Sequence, residues 1–92
     1  MTLGHIQKVF EKAIAENASF IAVAIKNGIQ HDPEVIINCT TNFQSKLDYY
    51  MNAYAENPNE PVVELKHNAS IRIVGIEAGN NPVVLLKKLG AM

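Results

Sequence analysis

Residues 41–54 constrain the architecture most, because they carry a helical repeat lodged between two short β-like runs. Phe43, Leu47, Tyr50, Met51 and Tyr54 recur at steps of four, three, one and three, which gathers them on one helical face. Burying each of these large side chains contributes ~1.5–3 kcal/mol, so this face is the expected anchor of a helix on a sheet. Thr41 and Gln44 have capping-box spacing, each side chain able to satisfy a free backbone amide of the other. Asn57-Pro58 is the expected stop, since proline disfavours helical geometry in the residue before it.

The rest of the chain falls into place around that helix. Residues 3–17 predict a first helix capped by Thr2, with Ile6, Val9, Phe10, Ala13 and Ile14 as its apolar stripe. Residues 19–26 are apolar at both parities, as in a central strand covered on both faces. Asn27-Gly28 and Asp32-Pro33 bound a turn region that tolerates positive φ. Residues 34–40 alternate, Val35, Ile37 and Cys39 on one face and Ile36, Asn38 and Thr40 on the other. The short connection makes this strand antiparallel to the one before it. Residues 62–66 read as a short edge strand and residues 70–77 as a further strand. If the strands either side of the central helix share a sheet, they form a right-handed parallel β-α-β crossover. Asn81, Pro82, Lys87, Lys88 and Gly90 mark a terminal helix by capping logic, with a β reading of residues 83–86 left open. The expectation is one small α+β domain over residues 1–92, ordered α-β-β-α-(β)-β-α. Its sheet is mixed and three- to four-stranded, with helices mainly on one face.

A chain of 92 residues can hide roughly 60–65% of its unfolded surface, enough for one core without metals or disulfides. Its net charge of −1 gives no broad field, which disfavours duplex nucleic acid as a partner. The single cysteine, Cys39, forms no internal disulfide, pointing to a reducing, cytoplasmic compartment and a buried apolar role. No apolar run reaches the ~18 residues that span a bilayer, and no signal-peptide pattern opens the chain, so no membrane association is expected.

Chemistry is not announced anywhere. His5, His31 and His67 lie far apart and lack a second ligand at metal spacing, so neither metal nor cofactor is expected. No nucleophile elbow, phosphate loop or paired carboxylates stand out, so no catalytic residue is named and the chain reads as a non-enzyme. The candidates for recognition are Tyr49 with Lys46, Asp48 and Asn52 on the outer side of the central helix. Arg72, the only arginine, projects from one sheet face and suits a carboxylate or phosphate.

The runs Lys46-Leu47-Asp48-Tyr49-Tyr50-Met51-Asn52-Ala53-Tyr54, Glu64-Leu65-Lys66-His67-Asn68 and Ser70-Ile71-Arg72-Ile73-Val74 resemble small accessory proteins of phages and prophages of Gram-positive bacteria. That resemblance covers about the second half of the chain. It implies a small intracellular inhibitor or adaptor that occupies a host protein surface, and it carries over no functional residue.

A thin sheet with few helical residues leaves one apolar face bare. Ile36, Val74 and Ile76 are the expected members of that face, which calls for a protein partner or a second copy in a homodimer. The alternative is a small-ligand sensor, binding a nucleotide or metabolite with Arg72, His67 and a tyrosine at the strand ends.

Overall fold

The computed structural model describes residues 1–29 and 32–92. Its elements run α1 (Leu3–Ala15), β1 (Phe20–Asn27), β2 (Glu34–Cys39), a 3-10 turn (Thr40–Asn42), α2 (Phe43–Ala53), β3 (Tyr54–Glu56), β4 (Val63–Leu65), β5 (Asn68–Gly79) and α3 (Pro82–Lys88). His31 and part of the expected turn region fall outside the described residues.

The five strands form one sheet in the order β2-β1-β5-β4-β3, and every neighbouring pair is antiparallel. This corrects the mixed three- to four-stranded sheet. β2 and β5, the strands expected to pair across a crossover, do run in the same direction. They never touch, because β1 lies between them and bonds to both.

The helix ends follow local chemistry. Thr2 Oγ1 accepts from the His5 amide at 3.0 Å, and Asn81 Oδ1 accepts from Val83 at 3.0 Å with Pro82 in the first turn. Residues 83–86 are therefore helical. Asn17 (φ 57) ends α1, with the amides of Asn17 and Ala18 reaching back to the carbonyls of Ile14 and Ala13. Gly90 (φ 76) ends α3 in the same way through Lys87 and Leu86.

At α2 two expectations fail. The capping box does not form: Asn42 precedes the helix without a side-chain cap, and Gln44 instead donates to Asp48 Oδ1 at 3.0 Å. The helix also stops at Ala53, short of Asn57-Pro58. Tyr54, Ala55 and Glu56 leave it to pair with Leu65, Glu64 and Val63. Ladder bonds gained with β4 outweigh one more helical turn. Asn57-Pro58 thus belongs to a hairpin loop, where Asn57 Oδ1 accepts from the Asn59 amide at 2.8 Å. β4 is consequently interior, and the edges are β2 and β3.

α1 and α2 cover one sheet face. Ile6, Phe10 and Ala13 meet Phe43, Leu47 and Tyr50 over Ile21, Val23, Val63, Ile73 and Ile76. Ile14, expected in the α1 stripe, is exposed. The β5 residues enter this core across a bulge. Val23 pairs with Ile76 and Ile25 with Ile73, so one extra β5 residue sits between Ala24 and Ile25 of β1. The bulge resets the alternation, and both Ile73 and Ile76 point inward despite their opposite parity. Ile36, opposite Val23, shares that face too. Neither Ile36 nor Ile76 therefore belongs to the bare face assigned to them.

α3 packs on the other face. Ala22, Ala24, Gly75 and Gly79 make a shallow trough there, and Leu85 and Leu89 lie in it. A Cβ on Gly79 would stand 3.2 Å from Leu85 Cδ2, and one on Gly75 would stand 2.7 Å from Leu89 Cδ2, so the trough works because its residues are small. The face expected to be bare is thus roofed over its Gly75–Gly79 half within a single chain.

Tyr50 is the largest fully buried side chain, and its hydroxyl has no partner of good hydrogen-bond geometry. Asn38 lies near it; one of its two amide hydrogens goes to the Ile21 carbonyl at 3.1 Å, and the other is free to interact weakly with the phenol oxygen. Burial pushes the phenol up from 10.0 to about 12; Asn38 pulls it back somewhat, and Tyr54 and Tyr49 add to the rise. The fold therefore favours the neutral phenol. Its contribution is complete below pH 10 and is lost as pH rises toward 12, a swing of about 2–3 kcal/mol. Tyr50→Phe should be close to neutral at pH 7, because the buried hydroxyl it removes has no hydrogen bond of good geometry. It should also flatten the alkaline loss of stability. Urea titrations at neutral and alkaline pH compare the two proteins, and parallel curves would refute this account.

Candidate functional site

The residues expected to form one recognition surface fall on opposite sides of the molecule. Lys46 and Tyr49 stand together on α2, the ammonium 5.7 Å from the ring centroid. Tyr49 is 49% exposed, and its ring also rests on Tyr50 (5.4 Å) and Tyr54 (6.3 Å). Asp48 and Asn52 form a separate strip about 100° around the helix. There Asn52 Nδ2 donates to the Asp48 carbonyl at 2.8 Å. This helix lies over the core face. Arg72 and Val74 are on the far side of the sheet, and Ile76 is buried at 7% exposure.

Arg72 already has company. Its guanidinium lies 3.6 Å from Glu60 and 4.0 Å from Glu64, and Nε donates to the Ala69 carbonyl at 3.3 Å. Glu64 in turn accepts from Asn57 Nδ2 at 3.3 Å. The Glu60 pair is solvent-screened and contributes ~0–1 kcal/mol, whereas Glu64 is largely buried and the oxygen it turns to Arg72 has no hydrogen bond. On its other side Arg72 is directly opposite Lys26, a like-charge pair that costs a little. Lys26, Gly28, Ser70, Arg72 and Val74 border an open concavity of about 540 Å³. His67 and the tyrosines, expected to share a pocket with Arg72, do not line it.

Cys39, expected to be a buried apolar residue, is exposed. Its strand neighbour across the sheet is Phe20, and its side chain emerges at the outer edge of the α3-side face. Among the described residues no three His, Cys, Asp or Glu converge as metal ligands, and no helix is long and apolar enough to cross a membrane.

Sequence reading missed the open edge of the sheet. Among the described residues β2 is bonded to β1 alone, through six consecutive residue pairs from Phe20↔Cys39 to Ile25↔Glu34 with no bulge. Alternate backbone N–H and C=O groups therefore face outward along its free side. Natural edges are usually guarded by proline, lysine, bulges or shortness. Pro33 adjoins its start, but none of these interrupts Glu34–Cys39 itself, and Val35, Ile36 and Ile37 occupy its centre half-buried. The opposite edge is guarded. Its protection is shortness: β3 has three residues. The alternation of residues 34–40 gave the strand; nothing in it marks the strand as an edge.

Compared with known families, curated proteins and solved structures, the chain matches none of them. Function is therefore argued from this geometry alone.

Proposed function

We propose that the protein is a small non-enzymatic protein-binding module that takes its partner onto the free edge of β2. The observation that carries this reading is the uninterrupted six-residue edge strand β2, at the opposite end of the sheet from the three-residue β3. Main-chain groups on such an edge supply affinity, and the alternate side chains Val35 and Ile37 on one face and Ile36 on the other supply selectivity. An inhibitor or adaptor that occupies another protein's surface is the role that suits it.

Affinity purification from the native host, followed by amide hydrogen exchange on the recovered complex, tests the reading. Residues 34–39 should exchange more slowly in the complex than in the free protein. Protection confined to α2, or absent from β2, would count against it.

A second reading rests on the concavity beside Arg72. Lys26 and Arg72 stand side by side there, so an anionic small molecule such as a nucleotide would relieve their mutual repulsion. Glu60 and Glu64 oppose it. A ligand held there must raise the apparent melting temperature, and Arg72→Ala should abolish that rise. No shift with inorganic phosphate or nucleotides removes this reading.

A further inference from the structure

Resting on the second reading above, we infer that the Lys26–Arg72 pair binds the phosphate group of a small organic phosphate, and that Glu60 is the internal acid this group displaces. The site shares no residue with the β2 edge, so both can be occupied at once.

Strand pairing makes the concavity. β5 leaves regular register on both sides of Arg72. One irregularity adds Val74 opposite the Ala24–Ile25 step of β1. The other inserts Ala69, Ser70 and Ile71 between the partners of Glu64 and Leu65. Such bulges re-aim side chains and break a flat pleated surface. Gly28 adds depth, since nothing lies within 4 Å of where its Cβ would stand.

Three donor groups there are unspent among the described residues. Lys26 is half-buried and in ion-pair contact with no acid. Arg72 uses only Nε in a hydrogen bond, and Glu60 Oε2 stands 3.6 Å from Nη1, too far for another. Ser70 commits its amide to Asn68 Oδ1 at 3.1 Å and its carbonyl to the Gly28 amide at 2.9 Å, which leaves the hydroxyl. All three residues line the same opening, and Lys26 lies directly opposite Arg72 on the adjacent strand.

Donor number selects the ligand. A carboxylate has two oxygens and is satisfied by the Arg72 fork alone. A phosphate monoester has three free oxygens, enough for the fork, the ammonium and the hydroxyl together. Charge selects it too. Glu60 is tethered beside Arg72 by its own loop, so a free carboxylate of equal charge competes at a disadvantage. A phosphate monoester carries about −1.5 to −2 at pH 7 and attracts both cations more strongly. Glu64 stays in place, accepting from Asn57 through Oε1. The opening, about 540 Å³, exceeds a phosphate group, and Val62 and Val74 give apolar walls to the organic remainder.

Titration of the full chain with phenyl phosphate, inorganic phosphate and benzoate, followed by amide chemical shifts, tests this. Phenyl phosphate should bind most tightly and move the amides of residues 26–28 and 69–74. Arg72→Ala should weaken it at least about tenfold. If that variant fails to fold, judged by circular dichroism, Lys26→Ala reads the same loss from the other half of the pair. Glu60→Gln alters only an exposed loop side chain and should tighten binding about two- to fivefold, the change one exposed ion pair corresponds to.

Equal affinity in wild type and Glu60→Gln overturns the displacement and leaves the second reading standing. Benzoate bound as tightly as phenyl phosphate overturns the choice of phosphate and likewise leaves that reading. No shift with any probe in either protein, or binding indifferent to the loss of Arg72, overturns both together.

Discussion

Phe10→Ala should destabilise the protein by about 3–5 kcal/mol, the largest loss expected from any single truncation. Phe10 is completely buried. Its ring meets Phe43 edge-on at 6.2 Å and Tyr50 at 6.1 Å, so it joins α1 to α2 as well as to the sheet. Removing it leaves a void that two other large rings cannot collapse into without leaving their own contacts. Domains of this size hold only ~5–15 kcal/mol in total, so the variant should be close to unfolding at physiological temperature. The midpoint of urea unfolding measures the effect. A loss under about 1 kcal/mol would mean that the aromatic cluster does not tie α1 to α2 as described.

Leu85→Ala should cost about 2–5 kcal/mol and should act first on α3. Leu85 is the only fully buried residue of a seven-residue helix. Helices this short do not persist in water without tertiary support. Without Leu85, the trough of Ala22, Ala24, Gly75 and Gly79 keeps only Leu89 as cover, and the sheet loses its roof on that side. Amide exchange resolves the order of events. Amides of residues 85–91 should accelerate strongly, while those of β1 within the α1–α2 core change less. Uniform acceleration across the chain would show instead that α3 and the main core unfold as one unit.

The second variant also bears on the idea that this sheet cannot be covered within one chain. α3 does cover the half near Gly75 and Gly79, so the proposal of a partner does not rest on a wholly bare face. It rests on the β2 edge. Val74, at 48% exposure beside the Arg72 concavity, is the remaining exposed apolar residue of β5.

Much of the layout was legible from residue order alone. Two of the three caps chosen from sequence, Thr2 and Asn81, accept the bonds expected of them, because a cap needs only neighbours a few positions away, while Thr41 does not. The doubly apolar run of residues 19–26 marked a strand covered on both faces, and Ile21 to Ala24 are all buried. The end of α2 was not legible. Tyr54 continues the helical repeat of Phe43, Leu47 and Tyr50, yet it begins β3, because its ladder partner Leu65 lies eleven residues further on. Ile76 was misplaced for a related reason: simple alternation along β5 fails at a bulge, and the bulge exists only in the pairing with β1.

The sequence by itself determined that this is one small α+β domain, where its first and last helices start, and that its central strand is shielded on both sides. Those features follow from short-range periodicity and capping, which act within a few residues. Tertiary structure alone decided that neighbouring strands all run antiparallel, that Lys46 and Tyr49 stand across the sheet from Arg72, and that β2 and β3 are the strands left without an outer neighbour. Those are facts about which distant segments lie side by side, and a strand's own residues read the same at the edge of a sheet as in its middle.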